Sequence, residues 1–437
     1  MTHDGVIVAA PSTGSGKTTV TLGLLRAFAR RGVEIRPAKV GPDYIDPRFH
    51  EAACGQTSVN LDGWAMRPAL VAELARDVAS AADLAVVEGV MGLFDGAQQT
   101  GTLGNGTTAD IARFTGWPVI LVVDCSGLAQ SVAPLVEGFR RFDPGVRIAG
   151  AILNKAGGPR HWDMLREALE PSGLPVFGVL PRDGQIELPS RHLGLVQAEE
   201  HADLDARLSR AADLVETHCD LEAIRSAAGA LACPGDAAGG AQLPPLGQRI
   251  AVADDVAFRF VYPHQLAGWR NAGAEIVPFS PLADQAPDAN ADVVFLPGGY
   301  PELHAGRLAA AQAFADGMRQ AAAREVSIYG ECGGYMVLGQ GLVDAENNRH
   351  RMLGLLDLET SFAERGLHLG YRDIEAVGSF AAGAAGSRFR GHEFHYASVL
   401  REEGASLFRR REDGSHMGLR RGPVAGSFAH LIDVADQ

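Results

Sequence analysis

A segment of small residues near the N-terminus has the residue types that bind a nucleoside triphosphate. The run 10–19, Ala-Pro-Ser-Thr-Gly-Ser-Gly-Lys-Thr-Thr, follows the apolar residues 6–8 and opens a segment with helical periodicity. In this order of strand, loop and helix, backbone N–H groups turn towards the phosphates, Lys17 neutralises their charge and Thr18 offers its hydroxyl to Mg²⁺. The residues predicted to bind ATP here are Thr13, Gly14, Ser15, Gly16, Lys17, Thr18 and Thr19. A plain glycine-rich turn is the alternative, since Pro11 replaces the usual first glycine.

Acidic residues follow the next two short apolar runs. Asp43 and Asp46 lie in the run 39–47, Lys-Val-Gly-Pro-Asp-Tyr-Ile-Asp-Pro. Glu88 and Asp95 lie in the run 88–96, Glu-Gly-Val-Met-Gly-Leu-Phe-Asp-Gly. A carboxylate that leaves a buried strand beside a phosphate-binding loop is well placed to bind Mg²⁺ or its water, and the glycines admit a bulky substrate. The alternative is that these side chains cap helices and turns.

Two later strand ends are candidates for contacts with a nucleotide base. Asn154 follows the apolar run 148–153, and Pro181 follows the run 176–180. The amide of Asn154 is suited to the edge of adenine, and the ring of Pro181 is suited to its face. For both residues, an ordinary strand end without a ligand is the alternative.

The second half contains a cysteine in the setting of an activated nucleophile. A strand-like run ends in Gly-Glu-Cys-Gly-Gly-Tyr at 330–335, and a strained turn of this kind exposes Cys332 at a helix start, where the thiolate is favoured. Gly298 and Gly299 offer backbone N–H groups for an oxyanion hole. His430, in Gly-Ser-Phe-Ala-His, is the candidate base. A buried inert thiol is the alternative for Cys332.

The hydrophobic pattern predicts the elements that position these groups. Continuous apolar runs, typical of parallel strands buried on both faces, occur at 6–10, 35–40, 84–87, 119–123, 148–153 and 176–180. A second series occurs at 250–253, 276–279, 293–296 and 326–329. Residues 226–248 between them are rich in Ala, Gly and Pro, as in a linker. We therefore predict an α/β protein with an ATP-binding parallel-sheet domain at 1–225, a linker at 226–248 and a second α/β domain at 249–437.

Composition narrows the classes of partner. A chain of 437 residues exceeds what a single core usually supports. The net charge of −14, with no basic stripe, argues against nucleic acid and anionic membranes as partners. Five cysteines without metal-binding spacing, and the lack of a leader-like start or a long apolar run, predict a reduced, cytoplasmic protein that does not span a membrane. The oligomeric state is open, and a homodimer is the assembly that we consider.

Together the motifs resemble the cobyrinic acid and hydrogenobyrinic acid a,c-diamide synthases of cobalamin biosynthesis. The resemblance covers essentially the whole chain and rests on the runs 10–19, 39–47, 88–96, 330–335 and 391–396, in the family's order. It implies a dethiobiotin-synthetase-like P-loop domain followed by a class I glutamine amidotransferase domain, and Pro11 is normal in this family. Most class I members carry a glutamate two residues after the histidine, but Ile432 stands there. The third member of the catalytic group is therefore open, with Asp433 nearby.

The resemblance also implies the reaction. ATP phosphorylates a peripheral carboxylate of the ring, while Cys332 attacks glutamine to form a thioester and His430 moves the protons. Ammonia then displaces the phosphate, so the expected small molecules are ATP, Mg²⁺, L-glutamine and a corrinoid or hydrogenobyrinic acid. The residues expected to bind Mg²⁺ are Thr18, Asp46 and Glu88, and those expected to bind the ring are Asp43, Asp46 and Asp95.

Several alternatives accompany this interpretation. A diamide synthase for another tetrapyrrole, such as nickel sirohydrochlorin, and a cobyric acid synthase share both domains. A partition-type ATPase is a third alternative, but Ser12 occupies the position of its signature lysine. The run Gly-His-Glu-Phe-His-Tyr at 391–396 could suggest a metal site, although its alternation favours a strand, with His392 and Phe394 on one side and Glu393 and His395 on the other.

Overall fold

The computed structural model describes residues 4–186, 190–191, 194–195, 197–200, 203–233 and 243–435. The chain forms two compact units, Met1–Gly240 and Ala241–Gln437. Part of the segment predicted as a linker, residues 234–242, lies outside the described residues. Within the same segment, Gly229 and Ala230 pair with the first strand of the chain.

A largely parallel sheet forms the centre of the first unit. Its strands are β1 (Asp4–Ala9), β2 (Ile35–Val40), β3 (Val59–Leu61), β4 (Leu84–Glu88), β5 (Val119–Asp124), β6 (Ile148–Ala156), β7 (Val176–Pro181) and β10 (Gly229–Ala230). The order is β3-β2-β4-β1-β5-β6-β7, and β10 runs antiparallel to β1. Two short strands, β8 (Ser190–Arg191) and β9 (Gly194–Leu195), form a separate pair.

Helices connect the parallel strands of this unit, and the last two helices follow the final parallel strand, β7. They are α1 (Lys17–Arg30), α2 (Asp46–Cys54), α3 (Pro68–Ser80), α4 (Thr108–Thr115), α5 (Val132–Phe142), α6 (Pro159–Leu169), α7 (Leu204–His218) and α8 (Leu221–Ala227). The neighbouring strands β2, β4 and β1 all end at the same edge of the sheet, so the loops that follow them meet there. This topology places the run 10–19 beside the two acidic runs.

The second unit contains a mixed sheet. Its strands are β11 (Arg249–Ala253), β12 (Glu275–Phe279), β13 (Val293–Leu296), β14 (Ser327–Glu331), β18 (His368–Ala376), β19 (Arg388–His395), β21 (Ala405–Arg410), β22 (His416–Arg421), β23 (Val424–Ser427) and β24 (Ala429–Val434). The order is β12-β11-β13-β14-β23-β22-β21-β18-β19-β24. In this spatial order, the strands from β12 to β23 run parallel to their neighbours, and every later pair is antiparallel.

Smaller elements complete this unit. A four-stranded sheet contains β15 (Gly341–Val343), β16 (Arg349–Arg351), β17 (Asp357–Ser361) and β20 (Ser398–Glu403). The helices are α9 (Pro263–Asn271), α10 (Ala305–Ala310), α11 (Gln312–Ala323) and α12 (Gly333–Leu338). Among the described helices of both units, none combines the length and the apolar character needed to cross a bilayer.

The predicted fold class is confirmed: each unit has parallel strands connected by helices, and each of the ten predicted apolar runs forms a strand. The run 391–396 also lies largely in a strand, β19. The antiparallel strands after residue 340 were otherwise not predicted.

Candidate functional site

The phosphate-binding loop has the backbone geometry that its glycines allow. Gly14 and Gly16 both adopt φ of +84°, a left-handed conformation that favours glycine, and Gly16 caps the start of α1. A Cβ at position 16 would also clash with the side-chain amide of Asn154. The loop therefore needs glycine for both conformation and space, and its N–H groups lie at the N-terminus of a 14-residue helix.

Glu88, the last residue of β4, connects the phosphate-binding loop at 10–19 to the acidic run at 39–47. Its side chain is fully buried. Oε1 accepts a hydrogen bond from the hydroxyl of Thr18 at 2.6 Å and lies 3.2 Å from Nζ of Lys17. The two groups predicted to meet phosphate and Mg²⁺ are thus brought together on one carboxylate oxygen.

Lys39 and His50 complete the surroundings of Glu88. Nζ of Lys39 lies 3.1 Å from Oε1 of Glu88 and 2.6 Å from Oδ2 of Asp46, and it donates to the carbonyl of Gly89 at 3.1 Å. Nε2 of His50 lies 2.7 Å from Oε2 of Glu88, and its Nδ1 lies 3.0 Å from Oγ of Ser58. The acidic run and β4 are therefore tied to each other through one buried ammonium group.

The electrostatics follow from this packing. Burial opposes the negative charge of Glu88, but Lys39, Lys17 and His50 together hold its pKa well below the usual range. Burial also opposes the positive charge of Lys39, yet attraction to Asp46 and Glu88 outweighs it and raises the pKa above that of a free lysine. For Lys17, burial and the neighbouring Lys39 lower the pKa. The ion pairs thus keep Glu88 ionised and Lys39 protonated.

The donor set fits Mg²⁺. This ion prefers hard oxygen ligands, and the hydroxyl of Thr18 and the carboxylate of Glu88 offer two such oxygens 2.6 Å apart. Asp46 lies at the start of α2, on the other side of Lys39, and contributes a second buried carboxylate. The predicted metal ligands Thr18, Asp46 and Glu88 therefore lie in one connected cluster at the end of the phosphate loop.

The two other predicted acidic residues make local turn contacts. Oδ1 of Asp43 accepts the N–H groups of Ile45 and Asp46 at 2.7 and 3.3 Å, and burial together with the charge of Asp46 raises the pKa of Asp43 to about 6. Oδ2 of Asp95 accepts the N–H of Gly92 at 3.1 Å, and Asp95 is exposed. Both residues thus have the capping role that we considered as the alternative. In each, the other carboxylate oxygen could still contact a substrate, and that role stays a prediction.

The predicted adenine contacts lie at neighbouring strand ends. The amide of Asn154 donates to the carbonyl of Ser15 at 2.9 Å and is 7% exposed, so it supports the phosphate loop. The next residue, Lys155, donates to the carbonyl of Gly14 at 2.7 Å and to Asp124 at 2.8 Å. Pro181 ends the adjacent strand β7 and is half-buried. Contact of Asn154 and Pro181 with adenine stays a prediction.

In the second unit, Cys332 lies between β14 and α12. It has φ of +46° and ψ of −105°, a rare conformation for a residue with a side chain, as in the turn that presents an active-site nucleophile. Its N–H donates to the carbonyl of Ser427 at 2.8 Å, so the turn is bonded to the end of β23. The sequence-predicted nucleophile elbow is therefore present in the fold.

The pairing of β23 brings His430 to this turn. β23 runs parallel to β14 with Ser427 opposite Glu331, and Phe428 alone separates β23 from β24, which carries His430. A Cβ at Gly298 would clash with Cε1 of His430 and would lie 3.0 Å from its Nε2 and 3.2 Å from Cβ of Cys332. Cys332, His430 and Gly298 thus meet at one point, and glycine is needed there.

The predicted oxyanion hole lies on the same side of the elbow. Gly298 and Gly299 follow β13, the parallel neighbour of β14. A Cβ at Gly333 would lie 3.0 Å from the backbone nitrogen of Gly299, so this peptide group packs closely against the start of α12. Backbone N–H groups beside Cys332 are what a tetrahedral oxyanion requires.

The resting state of Cys332 differs from the sequence-based expectation. Burial, followed by the negative charge of Glu302, raises the pKa of this thiol well above its usual range, so the structure favours the thiol where we expected a thiolate. α12 has only six residues and is too short for its N-terminus to outweigh desolvation. A thiol needs a base to become a nucleophile, and the role of His430 as that base stays a prediction.

Residues of β19 form a buried polar cluster near this site. Glu393 pairs with Arg372 at 2.6 Å, with Arg410 at 3.2 Å and with His395 at 3.1 Å, and these partners hold its pKa at about 2 despite burial. The ring of His395 stacks between His368 and Phe428, with centroid distances of 4.6 and 3.9 Å. His368, Glu393 and His395 are close enough to share an ion, but the two arginines already balance the carboxylate.

The distribution of lysines is a further signal in the sequence. The chain has three lysines, Lys17, Lys39 and Lys155, and all three contact the phosphate loop or Glu88. In a chain whose other cationic side chains are arginines, this concentration marks Lys39 and Lys155 as members of the site. His50, in contrast, stands alone in a helical run, and only the fold places it beside Glu88.

Comparisons with known proteins agree with these two sites. Residues 249–437 match the model of the CobB/CobQ-like glutamine amidotransferase domain, and residues 6–196 match that of the CobQ/CobB/MinD/ParA nucleotide binding domain. The protein is therefore of the class that joins a nucleotide-binding domain to a glutamine amidotransferase domain, as a glutamine-dependent ligase does.

Full-length relatives narrow this class. The chain is 56% identical to the hydrogenobyrinate a,c-diamide synthase of a Sinorhizobium species, over 99% of both chains. It is 54% identical to the enzyme of that name from Rhodobacter capsulatus, over 98% of both, and 55% identical to that from Brucella anthropi, over 99% of both. The chain belongs to this a,c-diamide synthase family. The family resemblance drawn from the motifs is thereby confirmed.

Proposed function

We propose that the protein amidates the a and c acetate carboxylates of hydrogenobyrinic acid, with ATP as activator and glutamine as nitrogen donor, in cobalamin biosynthesis. The observation that carries this proposal is the presence in one chain of the buried Glu88 cluster beside the phosphate loop and of the Cys332–His430 pair. The relatives named hydrogenobyrinate a,c-diamide synthase, alike over their whole length, support the choice of substrate.

The first unit would activate the carboxylate. Carboxylates do not react with ammonia, because oxide is not a leaving group, so phosphorylation by ATP provides one. Lys17 would move from Glu88 to the transferring phosphoryl group, and Lys39 would hold Glu88 and Asp46 in place. Mg²⁺ bound by Thr18, Glu88 and Asp46 would supply positive charge that stabilises the transferring phosphoryl group.

The second unit would release ammonia. Sγ of Cys332 attacks the side-chain amide carbon of glutamine, His430 takes the thiol proton, and the oxyanion meets the N–H groups at Gly298 and Gly299. The C–N bond breaks, and the proton on His430 passes to the departing ammonia. Water then hydrolyses the glutamyl thioester to glutamate and restores the thiol.

Two related activities are distinguished by the product. Purified protein is incubated with ATP, Mg²⁺, glutamine and, separately, hydrogenobyrinic acid, cobyrinic acid and nickel sirohydrochlorin, and the added amides are counted by charge and mass. We expect two amides on hydrogenobyrinic acid. Four or more would favour a cobyric acid synthase, and amidation of nickel sirohydrochlorin in place of hydrogenobyrinic acid would assign the other substrate.

The cellular setting stays as the sequence predicts it. We propose that the protein acts in the cytoplasm, where ATP and glutamine are available, and that any self-association is a homodimer. Sedimentation of the purified chain checks the second point: a species of trimer mass or larger would contradict it.

A further inference from the structure

The group that orients His430 is the missing part of the glutaminase site. Ile432 occupies the position where a glutamate would follow the histidine by two residues. A cysteine whose thiol is favoured by burial needs an effective base, and a base is effective only in a fixed orientation and tautomer. An acidic partner for His430 therefore has to come from elsewhere in the fold.

Glu331 lies beside His430. Its Oε2 is 3.5 Å from Nδ1 of His430, and its Oε1 accepts the N–H of Leu431 at 3.0 Å. The two side chains are 7% and 2% exposed. One buried carboxylate thus faces the imidazole and is bonded to the backbone of the next residue. The 3.5 Å separation is longer than a hydrogen bond, and such contacts shorten when a substrate binds.

The fold fixes this contact from both sides. Glu331 ends β14 and directly precedes Cys332, so the carboxylate and the nucleophile are joined by one peptide unit. On the opposite side of the ring, Nε2 of His430 is 3.0 Å from where a Cβ at Gly298 would lie, and Cβ of Cys332 is 3.2 Å from that point. Nδ1 therefore faces the carboxylate while Nε2 faces the cysteine.

Two other titratable groups lie next to His430 among the described residues. They are Cys332 on the same turn and His392, its register partner on β19. The acidic side chains Glu302 and Glu393 act on one of them, Cys332. Burial raises the pKa of Cys332 above its usual range and lowers that of His392 to about 3. The carboxylate oxygen that lies beside Nδ1 of His430 is Oε2 of Glu331, at 3.5 Å.

We propose that Glu331 is the positioning residue of the glutaminase site: its carboxylate accepts Nδ1–H of His430, directs Nε2 at Cys332 and stabilises the imidazolium formed when the thiol proton is taken up. This inference rests on the proposed glutaminase activity. It replaces the usual glutamate on the histidine strand with one on the cysteine strand.

The test compares charge and position. Glu331→Gln keeps an oxygen for the N–H of Leu431 but removes the charge. We expect kcat of glutamine hydrolysis to fall 10- to 1,000-fold with KM within threefold, and the acid limb of the kcat/KM profile to move to lower pH. Glu331→Asp should lower kcat at least fivefold and leave the acid limb in its wild-type position, because it retains the charge. A purely structural role would not move the limb.

Asp433→Asn is the rival variant, because Asp433 lies on the histidine strand. The assignment would be overturned if Glu331→Gln kept the wild-type kcat and the wild-type acid limb of the kcat/KM profile. It would also be overturned if the acid limb moved in Asp433→Asn but not in Glu331→Gln. Circular dichroism checks folding; if Glu331→Gln is unfolded, wild-type kcat in Glu331→Asp overturns the proposal. A wild-type protein that hydrolyses glutamine no faster than Cys332→Ser would instead reject the glutaminase function itself.

Discussion

At the scale of single residues, the two proposed chemistries depend on buried groups in different charge states, an ionised carboxylate and a neutral thiol. Glu88 is stabilised as an anion by Lys17, Lys39 and His50, so the phosphate site is preorganised for charge. Cys332 is held as a neutral thiol by burial and acidic neighbours. Variants at these residues should therefore separate carboxylate activation from ammonia production.

Replacement of the nucleophile should remove the nitrogen source alone. We expect Cys332→Ser to lower glutamine-dependent amidation by at least about 1,000-fold while amidation with high ammonium salt stays within threefold of wild type. Cys233→Ser, a thiol of the other unit, is the matched control and should behave as wild type. Equal loss with both nitrogen donors would contradict the separation of the two sites.

Changes in the phosphate site should affect both nitrogen donors. Lys17→Ala and Glu88→Gln should each lower ammonia-dependent amidation by about 100-fold or more at saturating ATP, since activation precedes attack by ammonia. Glu51→Gln, on α2 but 42% exposed in a surface ion pair, is the control for loss of a carboxylate. Near-normal turnover in the two site variants would rule out their roles.

At the scale of elements, loops at strand ends carry the chemistry and the packing of strands sets its position. The ten continuous apolar runs could be predicted because strands buried on both faces have a strong pattern. The antiparallel strands could not, because β20 is largely exposed, β18 is mostly half-buried, and both are rich in charged residues, which hides their periodicity. The neighbour of His430 could not be predicted for a different reason: its contact with Glu331 depends on the pairing of β14 with β23, which the sequence pattern does not specify.

The loop after β4 provides a test of substrate binding. Asp95→Asn retains an oxygen for the N–H of Gly92, so the turn should persist while the charge is lost. We expect amidation to slow about tenfold or to stop at the monoamide, with the Kd for ATP changed less than threefold. Anion exchange of the products and calorimetry of ATP binding give the two readouts. An unchanged product pattern would leave Asp95 with its capping role alone.

A buried histidine on α9 should make the second unit sensitive to acid. His264 is 3% exposed, neither ring nitrogen has a hydrogen-bond partner among the described atoms, and burial lowers its pKa to about 4. In the unfolded chain, His264 takes up a proton near pH 6.5, whereas in the folded chain it stays neutral down to about pH 4. The free energy of unfolding is therefore unaffected by His264 above pH 6.5 and falls as the pH drops towards 4. In His264→Leu, the decrease in the free energy of unfolding between pH 7 and pH 5 should be smaller than in wild type by about 2 kcal/mol.

Thermal unfolding of wild type and His264→Leu at pH 7 and pH 5 measures this difference. The surface variant His416→Leu, in β22, serves as the control and should retain the wild-type pH dependence. The same fall in Tm for all three proteins between the two pH values would show that His264 does not carry the effect.

At the scale of the whole molecule, the chain joins a nucleotide-binding domain to a glutamine amidotransferase domain, and we propose that the first activates the carboxylate and the second produces ammonia. The family and fold class could be predicted because five motifs occur in a fixed order, each carrying backbone or charge requirements that few other residues meet. The interior of the phosphate site was less predictable: the scarcity of lysine could have marked Lys39, but His50 becomes meaningful only when α2 is placed beside β4. Free ammonia is largely protonated near neutral pH, which makes coupled production within one chain advantageous.

The proposed mechanism depends on an acyl phosphate from which ammonia displaces phosphate. The direct measurement uses hydrogenobyrinic acid labelled with ¹⁸O in its carboxyl groups, with glutamine, Mg²⁺ and ATP, and determines the ¹⁸O content of the released phosphate by mass spectrometry. Phosphorylation of a carboxylate followed by amide formation must leave one carboxyl oxygen in phosphate, so we predict two amides and one ¹⁸O-labelled phosphate for each amide. Unlabelled phosphate, or ¹⁸O in AMP, would contradict the mechanism.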